Sequence, residues 1–300
     1  MNEPCVQACR VIDGGRMQPG SDAAPVRGNL DRLMGKVLAD HGLDLRQYRE
    51  RYVERRVAIR LNALGLRTYQ QYAAHLEAHP EEYYRLLDTL TINVTQFFRD
   101  PEVFELFREQ VLPAILELKR SRRQRILRVW SAGCATGEEP YSLAMSLLDS
   151  MERAGADTMI PTVIGTDIDR TALATAKRAE YPLRQLAHIP QQDQVRYLDV
   201  GEDTFHLKPR VRDIVRFQYL NLFESAPIHG VDVVFCRNVF IYFNKTDQER
   251  LIRTFWDSLT RGGYLVLGRS ERLSPEVAGA FEMVDGRQRT YRKPTGLQRA

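Results

Sequence analysis

The sequence has little cysteine, and its thiols follow no structural pattern. The 300 residues include only four cysteines, Cys5, Cys9, Cys134 and Cys236, and no CxxC pair. A disulfide framework or a zinc site is therefore not expected, and free thiols fit a reducing cytoplasm. The six histidines form no HExxH motif, so a metal enzyme has no support.

Long apolar runs and a strong charge excess are also missing. No run approaches the ~20 residues of a bilayer span, and the start lacks the basic end and apolar block of a secretion signal. The net charge of +4 is too small to indicate nucleic-acid binding. With 43% hydrophobic residues the composition is that of a globular protein, and two domains are expected at roughly 150 residues each.

The amino-terminal part divides into a tail and a helical unit. We interpret residues 1–27, which are rich in Gly and Pro, as a loose tail. Residues 28–95 are predicted to form an all-α domain, because helical signals are separated by Gly42, Gly65 and Pro80 without any strand signal. The predicted helices cover residues 30–40, 45–64, 68–78 and 81–91.

The second of these predicted helices has two distinct faces. At ~100° per residue, an apolar arc of roughly 60° is expected to pack on the rest of the domain. Its members are Leu45, Tyr48, Tyr52, Ile59 and Ala63. Arg49, Arg56 and Arg60 fall in an adjoining arc of roughly 40°. This cationic stripe is either a solvated face or a docking surface for an acidic protein partner.

A connecting segment, residues 96–125, follows the helical unit. A long helix is expected from Pro101 to Arg123, because Asp100 is a good N-cap and proline suits the first helical turn. The end of this helix, KRSRRQR, is a local basic cluster, which is usually a solvated helix end.

From residue 126 to 300, strand and helix signals alternate. Apolar runs such as ILRVWSAG, TVIGTDID and VDVVFCRN are followed by helical segments, which predicts a doubly wound α/β fold with a parallel sheet. The stretch 182–216 interrupts this alternation with RYLDV and TFHLK, and we expect part of it to form a small antiparallel insert.

The first strand leads into a glycine-containing loop, SAGCATGEEPYS. Gly133 and Gly137 would let the backbone approach a ligand closely at the carboxyl end of the strand. A P-loop is excluded because no lysine follows, and GxGxxG is absent. The pair Glu138–Glu139 would repel a pyrophosphate and tolerate a cationic ligand such as a sulfonium; otherwise it only complements the helix dipole.

Polar residues also follow the other predicted strands. Asp167 is placed to accept hydrogen bonds from ribose hydroxyls, whereas Asp169 suits an N-cap. Asn221, Arg237 and Asn238 are expected at the same edge of the sheet. Tyr242 comes one turn further on. This order fits a nucleoside-containing cofactor without separating adenosylmethionine from NAD, and the acidic loop favours adenosylmethionine.

These residues carry a family resemblance. The chain resembles the chemotaxis-receptor glutamate methyltransferases, the CheR family, over roughly residues 30–292. Five motifs match in order: NVTQFFRD at 93–100, SAGCATGEEPYSLA at 131–144, TDID at 166–169, NLF at 221–223 and FCRNVFIYF at 235–243. The resemblance implies an adenosylmethionine-dependent domain with a small β-subdomain, preceded by a helical domain.

The resemblance also implies which residues form the site. Arg99 and Tyr242 would be catalytic, with Tyr242 near the transferred methyl group. The implied cofactor neighbourhood contains Asn93, Thr95, Arg99, one or both of Glu138 and Glu139, Asp167, Asn221, Leu222, Arg237 and Asn238. The family reaction moves a methyl group from S-adenosyl-L-methionine to a receptor glutamate and leaves S-adenosylhomocysteine, without a metal.

A receptor substrate gives the Arg49, Arg56 and Arg60 stripe a candidate partner. The receptors of this family are cytoplasmic helical bundles with acidic methylation regions. Some members also grip a tether peptide at the receptor C-terminus through a glycine-rich loop. Here LDVGEDTFHLKP holds only Gly201 and is acidic, so tether binding is not expected. We expect a cytoplasmic monomer that inserts into no membrane and binds no nucleic acid.

Three other readings remain at this point. A nucleoside-cofactor oxidoreductase on the same sheet is disfavoured by the missing GxGxxG and the acidic pair. A receptor-binding module without activity is disfavoured because the site motifs are intact. A small-molecule or RNA methyltransferase is disfavoured by the helical domain joined to NVTQFFR.

Overall fold

The structure is a computed structural model that describes residues 27–296, except residues 42, 92 and 225–227. The predicted loose tail lies almost wholly outside the described residues. The remainder of the chain contains a helical domain and an α/β domain.

The amino-terminal domain packs four helices around one apolar core, as the sequence predicts. The helices are α1 Arg27–His41, α2 Glu50–Leu64, α3 Tyr69–Ala78 and α4 Glu82–Leu90. Thr68 and Gln71 form a capping box at the start of α3, and Gly65 ends α2 in the left-handed conformation. Buried apolar and tyrosine side chains such as Leu33, Val53, Tyr72 and Leu86 fill the space between the helices.

The predicted second helix, residues 45–64, is interrupted. A short 3-10 turn, Leu45–Gln47, precedes α2, and the chain is extended at Tyr48 and Arg49. There Tyr48 pairs with Phe243 as an antiparallel bridge, and the Arg49 amide donates to the Tyr242 carbonyl at 2.9 Å. The break connects the two domains.

The predicted packing face of this helix is wrong at its carboxyl end. Ile59 is 44% exposed and Ala63 is also exposed, whereas Val53, Val57 and Leu61 are buried. Because the helix begins only at Glu50, Tyr48 does not belong to its helical periodicity. The buried face therefore follows the four-residue spacing of the aliphatic residues.

The connecting helix begins at Pro101 as predicted and ends at Ser121. It consists of α5 Pro101–Leu106, a π-helical stretch Phe107–Val111 and α6 Leu112–Ser121. Asp100 occupies the N-cap position as predicted, but its side chain does not cap the helix. Asp100 adopts φ 56° and its side chain caps no amide; instead its carboxylate forms ion pairs with Arg237 and Arg269.

The α/β domain confirms the predicted fold class. Its elements in chain order are β1 Ile126–Ala132, α7 Glu138–Arg153, β2 Ile160–Asp167, α8 Arg170–Arg178, β3 Glu180–Pro182, α9 Gln191–Tyr197, β4 Leu198–Val200, β5 Thr204–Leu207, α10 Pro209–Arg212, β6 Val215–Tyr219, β7 Val231–Cys236, α11 Lys245–Ser258, β8 Leu259–Leu267, α12 Pro275–Ala278, β9 Glu282–Asp285 and β10 Thr290–Arg292.

Seven strands form the main sheet in the order β6-β2-β1-β7-β8-β10-β9. The strands from β6 to β8 are parallel, and β10 and β9 add an antiparallel edge that the sequence analysis did not predict. Strand β7 is buried at all six positions, as its continuous apolar run indicates. This topology brings the carboxyl ends of β2, β1 and β7 side by side.

The predicted insert contains a separate three-stranded antiparallel sheet, in the order β3-β5-β4. Its first strand starts at Glu180, slightly before the predicted boundary of residue 182. The insert ends before the predicted boundary of residue 216, because Val215 and Arg216 belong to β6 and pair with β2 in the main sheet.

Candidate active site

A cleft lies at the carboxyl edge of β1, β2 and β7 and extends to the helical domain. Such an edge is the usual ligand site of open parallel sheets. The walls include most of the residues that the sequence analysis singled out. These are Asn93, Thr95, Arg99, Glu139, Asp167, Asn221, Leu222, Arg237, Asn238 and Tyr242.

The loop after β1 requires both of its glycines. Gly133 has φ +80°, and a Cβ there would lie 2.5 Å from a methyl carbon of Val239. Gly137 has φ +96°, and its Cβ would lie 2.7 Å from that of Ala176. Left-handed backbone and close packing together exclude other residues, so the loop can pass directly beneath the cleft.

The two acidic residues after this loop point to different places. Glu138 is 2% exposed and accepts hydrogen bonds from the Thr136 hydroxyl at 2.7 Å and the Gln185 amide at 3.2 Å. Burial raises the pKa of Glu138. Its side chain does not line the cleft, because neighbouring positions of a helix diverge by ~100°. The predicted cofactor contact of Glu138 therefore has no support in the geometry.

Glu139 does line the cleft. It accepts a hydrogen bond from the Ser131 hydroxyl at 2.8 Å and forms an ion pair with Arg237 at 3.3 Å. The predicted acidic pair thus contributes one carboxylate to the cleft, and an arginine already offsets its charge.

Asp167 is held at the end of β2 by two backbone amides. It accepts from Ala135 N–H at 2.8 Å and from Asp169 N–H at 2.9 Å. Burial raises the pKa of Asp167, although these hydrogen bonds oppose the rise. Among the ion pairs of the described residues, none involves Asp167. A half-buried carboxylate with free acceptor capacity therefore faces the cleft.

Asp169 is the predicted N-cap of α8. Its carboxylate accepts from the amides of Thr171 at 2.8 Å and Ala172 at 2.9 Å. It also accepts from the Asn93 side-chain amide at 2.6 Å. Asn93 thereby fixes the start of the connecting segment against the α/β domain.

Arg237 lies at the end of β7 and is almost fully buried. Its guanidinium forms ion pairs with Asp100 and Glu139. Its Nε has no hydrogen-bond partner within the described residues. The two ion pairs hold the guanidinium against the wall of the cleft, which Arg237 lines.

Arg99, on the connecting segment, and Tyr242, on the turn after β7, both line the mouth of the cleft. Arg99 donates to the Val94 carbonyl at 2.8 Å, and its neighbours Phe98 and Asp100 both have positive φ, 47° and 56°. The Tyr242 ring packs 4.9 Å from that of Tyr52. Because burial raises the pKa of Tyr242, its phenol is protonated at neutral pH and can donate a hydrogen bond.

Comparison with known proteins identifies the family. The description "CheR methyltransferase, SAM binding domain" matches residues 93–290, and "CheR methyltransferase, all-alpha domain" matches residues 29–91. The chain belongs to the CheR methyltransferase family. It is an enzyme that uses S-adenosylmethionine as methyl donor, which sets aside the oxidoreductase and the inactive module.

Several named relatives support the same conclusion. A "Chemotaxis protein methyltransferase" of Listeria monocytogenes is 35% identical over 238 residues, which are 79% of this chain and 87% of that protein. "Chemotaxis protein methyltransferase 2" of Pseudomonas aeruginosa is 35% identical over 256 residues, covering 83% and 86%. "Chemotaxis protein methyltransferase Cher2" of Pseudomonas putida is 33% identical over 256 residues, covering 82% and 92%.

The donors and acceptors of the cleft fit the cofactor of a CheR enzyme. Asp167 offers a half-buried carboxylate to hydroxyl groups, and the Arg237–Glu139 ion pair lines the wall nearby. Asn221 is also buried in the wall, where its side-chain oxygen accepts from the Phe223 amide at 3.1 Å. A nucleoside with an amino-acid tail carries the matching hydroxyl, amine and carboxylate groups.

The predicted Arg49, Arg56 and Arg60 stripe has unequal members. Arg49 donates to the Phe243 carbonyl at 3.2 Å, and Arg56 lies 5.2 Å over the Tyr52 ring. Arg60 forms a bidentate ion pair with Glu82, whose side chain is 1% exposed. The charge of Arg60 is thus neutralised inside the helical domain, while Arg49 and Arg56 lie beside the cleft.

The sequence analysis missed several residues of this region. Tyr48, Gln96, Cys134 and Val239 line the cleft, and Asp100 and Glu271 support it from behind. The sequence signal for Asp100 is its position next to Arg99, which is a predicted site residue. Glu271 follows β8, whose end carries no predicted site residue.

The part of the chain that the structure describes contains neither a cluster of metal ligands nor a helix able to span a membrane. It contains no group of three or more His, Cys, Asp or Glu side chains suited to a metal. His75 and His79 lie one helical turn apart with ring centroids 4.3 Å apart, and no third such side chain completes a group with them there. Within the same residues, no helix combines the length and apolarity needed to cross a bilayer.

Proposed function

We propose that the protein methylates glutamate side chains of chemotaxis receptors, with adenosylmethionine as donor. The products are glutamyl methyl esters and S-adenosylhomocysteine. The observation that carries this proposal is the pair at the mouth of the cleft, the Arg99 guanidinium and the protonated Tyr242 phenol. Both donate hydrogen bonds, as a carboxylate acceptor requires.

The residues of the cleft divide into binding roles. Asp167 accepts from the ribose hydroxyls, which its position at the end of β2 and its free oxygen capacity favour. Arg237 and Glu139 form a fixed charge pair that contacts the amino-acid part. Asn221, Leu222, Asn238, Asn93 and Thr95 supply the remaining walls.

The chemistry needs positioning rather than a base. The bound cofactor supplies an electrophilic methyl group on a sulfonium. A glutamate with an unperturbed pKa near ~4.3 is already ionised at neutral pH, so no proton has to be removed. Arg99 and Tyr242 orient the acceptor oxygen towards the cleft and keep water away from it.

The strength of these contacts is limited by the reaction itself. Charge disappears as the anionic acceptor meets the cationic donor, so a donor that binds the carboxylate too tightly would stabilise the ground state. Arg99 already donates one N–H to the Val94 carbonyl at 2.8 Å. This bond holds the guanidinium in place without a competing carboxylate.

Arg49 and Arg56 form the docking surface for the receptor. They flank the cleft on the helical domain, and receptors with acidic helical bundles would be steered towards them. Arg60, although on the same helix, contributes less charge because Glu82 neutralises it. Docking is weak and salt-sensitive, because these contacts are largely exposed.

The small β-subdomain does not support dependence on a receptor tether. Its β4–β5 connection contains Gly201, Glu202 and Asp203, and Gly201 and Asp203 bond to neighbouring backbone groups. Two carboxylates beside the edge of the sheet disfavour an acidic peptide. The enzyme works as a cytoplasmic monomer on the receptor body.

Radiolabelled methyl transfer to receptors from the same cell tests the proposal. We expect label from adenosylmethionine to appear on receptor glutamates and to be released by mild base, as an ester requires. Base-stable label, or label on RNA or a small molecule instead of the receptors, would show another acceptor. A titration with isolated receptor tail peptide tests the tether separately, and no binding is expected.

A further inference from the structure

Glu271 is a buried carboxylate that contacts the site only through the backbone. It is 4% exposed and lies shortly after β8. One carboxylate oxygen accepts from the amides of Gly268 at 2.6 Å and Asn238 at 3.0 Å, and the other accepts from the Phe240 amide at 2.8 Å. Among the ion pairs of the described residues, none involves Glu271.

These bonds fall on an unusual stretch of backbone. Asn238 has φ 60°, a left-handed conformation that is uncommon outside glycine, although asparagine adopts it more readily than most residues. Its amide and that of Phe240 turn towards the carboxylate rather than continue the sheet. Without Glu271, two buried amides of this turn would lack their partner.

Gly268 completes the arrangement. A Cβ at this position would lie 2.6 Å from Glu271 Oε2 and 2.9 Å from the Asn238 nitrogen. Only glycine therefore leaves room for the carboxylate to reach the turn. The end of β8 is shaped to receive a carboxylate that binds the end of β7.

The turn supplies much of one wall of the cleft, through Arg237, Asn238, Val239, Ile241 and Tyr242. We propose that Glu271 is a positioning residue, whose carboxylate fixes residues 237–242 in the one backbone shape that presents Arg237, Asn238 and Tyr242 together. The part that concerns Tyr242 rests on the proposed function. Glu271 itself touches neither cofactor nor acceptor.

Glu271→Gln tests this role. An amide has nearly the same shape but only one acceptor oxygen, so its NH₂ group would face at least one backbone N–H. Hydrogen bonds to a charged acceptor are stronger than those to a neutral amide oxygen, so we expect binding of S-adenosylhomocysteine to weaken about tenfold by calorimetry. Hydrogen exchange over residues 236–243 should speed up about tenfold, while exchange over β1 stays unchanged.

Glu276→Gln is the matched control. Glu276 lies in the same segment, on α12, but is exposed, and it forms an ion pair with the exposed Lys245. This variant should bind and exchange as the unmodified protein does. Glu271→Asp, which keeps the charge but withdraws it by one methylene, should resemble Glu271→Gln.

Two results would overturn the proposal. Unchanged binding and unchanged exchange in Glu271→Gln would show that the turn keeps its shape without the carboxylate. Equal acceleration over β1 and residues 236–243, or failure of both variants to fold, would show a general structural role. Neither measurement uses an acceptor, so failure of receptor methylation would leave this test intact.

Discussion

The rings of Tyr52 and Tyr242 lie 4.9 Å apart, one from each domain. Tyr52 is itself fixed, because its hydroxyl donates to the Leu90 carbonyl at the end of α4. The ring of Tyr242 therefore rests on the helical domain, while its backbone belongs to the turn after β7. Its hydroxyl is the only part left free to act on an acceptor.

Tyr242→Phe should separate the ring from the hydroxyl. The ring contact with Tyr52 remains, so affinity for S-adenosylhomocysteine should stay the same. Loss of a hydrogen bond to a charged acceptor should lower turnover by about 10- to 100-fold. Tyr84→Phe is the control, because Tyr84 is 64% exposed. Equal turnover in Tyr242→Phe and the parent enzyme would remove Tyr242 from the catalytic residues.

Asp167 should make cofactor binding depend on pH. Burial raises the pKa of Asp167, and the ionised carboxylate is the better acceptor for hydroxyl groups. Affinity for S-adenosylhomocysteine should therefore fall as the pH decreases through the raised pKa, above the range in which an ordinary aspartate titrates. Asp167→Asn should bind about tenfold more weakly and lose this step.

The control for this titration is Asp157→Asn, since Asp157 is exposed and remote from the cleft. It should retain both the affinity and the pH step. A step of equal size in Asp167→Asn would assign the titration to another group.

Arg56→Glu should weaken receptor methylation through docking. Reversal of a charge beside the cleft opposes an acidic partner, so kcat/KM for the receptor should fall about tenfold at low salt. The difference in kcat/KM between Arg56→Glu and the parent enzyme should shrink at high salt, because salt screens both the attraction of the arginine and the repulsion of the glutamate. Arg67→Glu, beyond the carboxyl end of α2, makes the same charge change and should have little effect. A salt-independent loss would argue against electrostatic docking.

Arg60→Ala should act on stability instead. Burial opposes ionisation of Glu82, but hydrogen bonds from Arg60 and Tyr72 outweigh it and hold the pKa of Glu82 below its usual range. Removal of Arg60 leaves the buried carboxylate of Glu82 without its nearest ion-pair partner, so the free energy of unfolding should decrease by about 3 kcal/mol. Thermal unfolding measures this, and Arg60→Ala combined with Glu82→Gln should recover part of the loss. Arg51→Ala, which is exposed, should leave stability unchanged.

The α/β domain was predictable because its signals are local. Strand β1, helix α7 and strand β7 each follow from a short apolar run or helical periodicity, and their alternation implies a parallel sheet. The break at Tyr48 was not predictable in this way. It depends on Phe243, which lies in the other domain.

The site was predictable where a residue directly follows a strand. Asp167 and Arg237 reach the cleft because parallel strands end at one edge. The sequence alone does not distinguish Glu138 from Glu139. The residue at which α7 begins decides which of the two side chains faces the cleft. Glu271 accepts hydrogen bonds from backbone amides. Because every residue except proline has such an amide, the sequence does not show which residues donate to Glu271.

The pairing of Tyr48 with Phe243 also fixes an order of events during synthesis. Arg49 and Phe243 are 194 positions apart, so at ~5–20 residues per second the ribosome needs roughly 10–40 s between them. The buried core of the helical domain lies between Leu30 and Leu90, so the chain that forms it is complete long before then. The cleft gains its helical wall only after Phe243 has emerged, so a nascent chain has a complete helical domain before it has a site.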